Sequence, residues 1–126
     1  MGVPSPLDKR LAQRYPVRIR VRFRLLSSPD GEPPESELHN GNNLMFNISL
    51  TGFFLSTKNF LEISTRVEVE FPLEDFKQVI RAEAEVVRAN NANFPNLGRY
   101  EYGLRFLGMH PHFRETLDNF LRVAKG

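Results

Sequence analysis

Two arginines four residues apart, Arg10 and Arg14, are the side chains of this 126-residue chain best suited to chemistry. A guanidinium presents a planar fork of donors that matches phosphate oxygens, and equally O6 and N7 on the Hoogsteen edge of guanine. Pro16 discourages a helix from running past Tyr15, so an extended or turn-like arm could swing both forks onto one anion. The plainer alternative is a basic tail whose arginines are only solvated, and charge alone favours it.

A second polar cluster interrupts two apolar runs in Phe46-Asn47-Ile48-Ser49-Leu50-Thr51-Gly52-Phe53-Phe54-Leu55. Asn and Ser side chains bond nearby backbone at strand corners, and Gly is free to adopt positive φ there. Taken alone, the stretch suits an ordinary corner as well as a binding loop.

Other chemistry is poorly represented. The chain has no cysteine, which excludes disulfides, thiol chemistry and a cysteine zinc site. His110 and His112 flank Pro111 and lack partners at ligand-like spacing, while His39 lies in a Pro/Gly/Asn-rich loop. Helix capping or solvent exposure accounts for such histidines, so no metal is expected. No Gly-rich phosphate loop or nucleophile motif is present, and the expectation is a protein that is not an enzyme.

The elements that must position these residues follow from periodicity. Val17, Ile19, Val21, Phe23 and Leu25 alternate with Arg18, Arg20, Arg22 and Arg24, which predicts a half-buried first strand with an arginine-lined face. Ser27–Asn43, with its prolines, glycines and acids, reads as a long loop. Short strands are expected at Leu44–Ile48 and Phe53–Thr57. Longer alternations follow through Val67–Phe71, which Pro72 should end, through Ile80–Val86, and through Tyr100–Phe106. Asn90–Gly98 is a loop. Phe113, Leu117, Phe120, Leu121 and Ala124 fall at helical spacing after Pro111, which suits a first helical turn. The expected fold is therefore all-β with a C-terminal helix: a six-stranded antiparallel barrel with one amphipathic helix packed on it. Residues 1–9 form a lead-in and residues 10–126 the domain.

With 40% hydrophobic and 25% charged residues, the chain has a globular composition and enough length for one core. Its N-terminus has no apolar run, so cytoplasmic location without membrane insertion is the default. Charge is uneven: residues 1–26 hold seven Lys/Arg against one acid, and the remainder ten against fourteen. An anionic partner, or docking of the arm on its own body, would use that asymmetry.

Taken together, Arg10-Leu-Ala-Gln-Arg14 before a first strand and Asn47-Ile-Ser-Leu-Thr-Gly52 at the next strand corner resemble the two halves of the PilZ-domain signature, an RxxxR arm and a [D/N]xSxxG motif. Gly103-Leu104-Arg105-Phe106 followed by a helix is similar to the end of that domain. The resemblance spans roughly residues 9–124 and implies a six-stranded barrel and a receptor for the bacterial second messenger cyclic di-GMP. It implies that Arg10 and Arg14 hold phosphate and guanine groups, that Asn47 and Ser49 contact a guanine, and that Gly52 keeps the corner open. Neither Asn47 nor Ser49 should then be spent on local backbone. Asn47 stands where the family often has Asp, and its single amide oxygen is the weaker acceptor. Lys9 stands where the family often has a further arginine when a stacked ligand dimer binds; it supplies charge but no planar fork, which leaves stoichiometry open.

Output would pass through a protein partner. The alternatives are a ligand-independent interaction module of the same fold, or a small barrel binding nucleic acid through Arg18–Arg24, which lie roughly 7 Å apart along one strand face. Pairing of those arginines with glutamates on neighbouring strands is the simpler account, and nucleic acid is the less favoured partner.

Overall fold

Alternating apolar and charged residues build each strand, and the curl of the sheet decides where each one pairs. The computed structural model describes residues 14–29, 42–89 and 99–125, with Asp75, Ala124 and Lys125 described by backbone alone. Lys9 and Arg10, the 1–9 lead-in and most of the two expected loops lie outside the described residues. Within them, β1 (Tyr15–Arg20), β2 (Arg22–Ser27), β3 (Leu44–Ile48), β4 (Gly52–Thr57), β5 (Arg66–Leu73), β6 (Gln78–Ala89) and β7 (Tyr100–Met109) form one antiparallel sheet. Its order is β1-β3-β4-β7-β6-β5-β2. A 3-10 turn, Glu74–Phe76, joins β5 to β6, and α1 (Pro111–Lys125) follows β7.

Seven strands replace the expected six, because the first alternating run is two strands. Its phase holds: Val21 and Phe23 are buried while Arg18, Arg20 and Arg22 are exposed. At Val21, however, the chain changes partners. β1 pairs with β3, β2 pairs with β5, and the Val21 N–H donates to the Asn43 carbonyl at 3.0 Å. No Gly or Pro marks the break. The two end strands of the sheet are thus consecutive in the chain, which requires the twisted sheet to curl round on itself. The result is a barrel-like half-closed sheet.

Pro72 does not end its strand as expected; β5 continues to Leu73, with Pro72 opposite Val79. β2 pairs with β5 no further than Glu70, so at Pro72 β5 is an edge on that side and the missing N–H costs no ladder bond there. Phe23, Met45, Phe53, Phe71, Ile80 and Leu104 fill the core between the inward faces.

The helix closes on this core with Leu117 and Leu121 buried and with Phe120 edge-on to Phe76, their centroids 6.3 Å apart. His110 caps it: its Nδ1 accepts from the His112 N–H at 3.1 Å, which satisfies a donor that the first helical turn leaves free. Among the described residues no cluster of His, Asp or Glu could hold a metal ion. No helix among them is long and apolar enough to cross a membrane.

Candidate functional site

The corner between β3 and β4 is held by its own polar groups. The Ser49 N–H donates to the Gly52 carbonyl at 2.8 Å, and the Ser49 hydroxyl accepts from the N–H groups of Thr51 and Gly52 at 3.1 and 3.2 Å. Its own proton has the Thr51 Oγ1 within 3.0 Å and the Gly52 carbonyl within 3.3 Å. Ser49 is fully buried. Contrary to the expectation that Ser49 is not spent on local backbone, its hydroxyl fixes the corner. Ser49→Ala leaves two N–H groups without that acceptor and is expected to lower stability by about 2 kcal/mol, read as a fall in the urea midpoint.

Positive φ falls on Asn47, at 52°, and not on Gly52. Asn tolerates the left-handed region better than most residues because its short amide can bond locally, so the motif's Asn has a backbone task as well as a side chain to offer. Gly52 serves a different need. A Cβ there would sit 2.1 Å from the Leu104 carbonyl oxygen of β7, so only glycine allows β4 and β7 to approach as they do. The Phe106 N–H then donates to the Thr51 carbonyl at 2.7 Å and ties the corner to β7.

Arg14 meets this corner, as its placement before β1 predicts. Its Nη1 donates to the Asn47 carbonyl at 3.0 Å, and its guanidinium lies over the Phe54 ring, 4.8 Å from the centroid. A second guanidinium, that of Arg88, lies 5.5 Å from the same centroid. Partial burial, and then the like charge of Arg88, hold the Arg14 pKa below its usual value. Arg14 remains a cation at neutral pH.

The site thus has two members, Phe54 and Arg88, that periodicity hid. By simple alternation Arg88 falls in phase with the inward residues Ile80, Ala82, Ala84 and Val86. A bulge between Val86 and Arg88 reverses that phase: Val86 opposes Leu104, but Arg88 opposes Gly103. Pairings then run across the outer face from Arg18 to Phe46, Phe54, Gly103 and Arg88. The rings of Phe46 and Phe54 are 5.6 Å apart. This row offers an aromatic floor between cations, a surface suited to a planar anion.

The arginine stripe of the first run divides. Arg22 and Arg81 both bond Glu70, and the Arg24 Nε lies 3.4 Å from Glu68. Those pairs match the simpler account of the stripe. Arg18 and Arg20 have no carboxylate partner among the described residues.

The barrel-like sheet thus carries guanidiniums and an aromatic floor on its outer face, beside a rigid polar corner. The PilZ domain family matches residues 8–122, and the chain belongs to that family. Its fold is similar to that of the Bacillus subtilis inhibitor of motility (MotI/DgrA), with a TM-score of 0.68 at 17% identity over 97% of this chain. This chain spans 56% of the length of that one. No curated protein matches by sequence.

Proposed function

We propose that this PilZ domain is a cytoplasmic receptor for cyclic di-GMP that acts through a protein partner and catalyses no reaction. The observation that carries the reading is the meeting of Arg14 with the Asn47 corner, beside a second guanidinium on the Phe54 ring. In this reading the dianionic ligand neutralises the crowded cations and its guanine lies near the Asn47 amide, which accepts from the guanine N1–H and N2–H₂ groups. Arg10, and the charge of Lys9, complete the grip from the arm. Binding holds residues 10–15 against the corner and changes the surface presented to the partner, a ligand-ordered switch of segment position.

Calorimetric titration with cyclic di-GMP tests this directly and also reads the stoichiometry. Saturable binding that GMP and ATP do not reproduce is the expected result, with Arg20→Ala nearly silent. Absence of binding at high micromolar ligand would leave the interaction-module reading in its place. A steep salt dependence with single-stranded RNA, lost in Arg20→Ala, would instead point to the nucleic-acid face.

A further inference from the structure

Arg88 occupies its position through three features that local propensity does not require. The bulge after Val86 turns it to the outer face, where it pairs in register with Gly103. Gly103 places no side chain between Arg88 and Phe54, although a Cβ there would meet the Phe54 Cε1 at 3.4 Å and the Arg88 Nε at 3.6 Å, ordinary contact distances. The guanidinium reaches over the Phe54 ring from the strand beyond, 5.5 Å from its centroid. Third, no carboxylate among the described residues pairs with it, whereas Arg81 and Arg105 on the adjoining outer face bond Glu70 and Glu85.

The two cations on Phe54 are also unequally committed. Arg14 already gives one N–H to the Asn47 carbonyl. Arg88 keeps its whole fork of donors for a guest, since its described contacts are the ring and the neighbouring charge. Like charges placed side by side without a counterion repel, and an anion seated between them removes that repulsion while accepting from both forks.

We infer that Arg88 is a ligand-contacting residue of this site, supplying a second guanidinium fork, beside Arg14 on the Phe54 ring, to a phosphate of the bound dinucleotide. The inference rests on the cyclic di-GMP reading above. Arg88 reaches the ligand from the barrel wall, so its contribution does not depend on how the arm is placed.

Titration of the whole chain with cyclic di-GMP at two salt concentrations tests it, comparing wild type with Arg88→Ala, Arg88→Lys and Arg14→Ala. Arg88→Ala is expected to weaken binding about 10- to 100-fold, the range for loss of a charge-assisted pair, and to flatten the salt dependence. Its urea midpoint should match wild type, because Arg88 is exposed. Arg88→Lys should recover only part of the loss, since an ammonium restores the charge without the fork. Wild-type affinity in Arg88→Ala, with Arg14→Ala impaired, overturns the assignment and leaves the receptor reading standing. A wild-type chain that does not bind overturns both.

Discussion

Gly52→Ala is expected to destabilise the fold by about 3 kcal/mol or more, the upper range for forcing extra volume into a packed site. The added Cβ would meet the Leu104 carbonyl oxygen at 2.1 Å and the Arg105 Cα at 3.0 Å, so β4 and β7 must separate. No side chain can rotate away to relieve this, because both obstacles are backbone. Separation also breaks the register in which Gly52 opposes Arg105 and strains the bond from the Phe106 N–H to the Thr51 carbonyl. A domain of this size has about 5–15 kcal/mol of stability in all, so the loss should appear as a large fall in the urea midpoint at unchanged slope. A midpoint close to wild type would mean that the two strands can part at little cost, and that the glycine has another purpose.

Arg14→Ala is expected to leave the fold nearly intact and to weaken cyclic di-GMP about 100-fold or more. The residue is exposed, and its one described hydrogen bond, to the Asn47 carbonyl, is a surface contact whose loss water can repair. Its effect on a ligand is larger because it links three parts of the site: the arm that carries it, the corner and the Phe54 ring. Arg14→Lys should recover little, since the ammonium cannot both bond the carbonyl and lie flat on the ring. Calorimetry beside urea unfolding separates the two effects. Near-wild-type affinity in Arg14→Ala would sink the role given to the arm.

Much of this architecture is legible in the sequence because most strands obey period two. The inward residues Ile80, Ala82, Ala84 and Val86 are buried as their alternation requires, and Leu117 and Leu121 sit on the helix face that their spacing marks. What periodicity misses is long-range. The change of partner at Val21 has no local breaker, and Pro72 is tolerated only because β2 has already ended beside it. Arg88 escaped for the same kind of reason, since one bulged residue inverts the phase of the strand after it. Within the corner, Asn and Gly are residue types that tolerate positive φ, but sequence does not say which of them adopts it. The answer, Asn47, and the glycine's true constraint both depend on where β7 passes.

The break at Val21 also recasts the arginine stripe. β1 and β2 are the two end strands of the sheet, the places where unpaired backbone donors and acceptors can recruit a foreign strand. These are the strands that carry Arg18, Arg20, Arg22 and Arg24. Charged side chains on such strands repel a second copy approaching edge to edge. Arg18 and Arg20, without a carboxylate partner among the described residues, therefore leave positive charge along the β1 edge, which disfavours edge-to-edge pairing of two copies there.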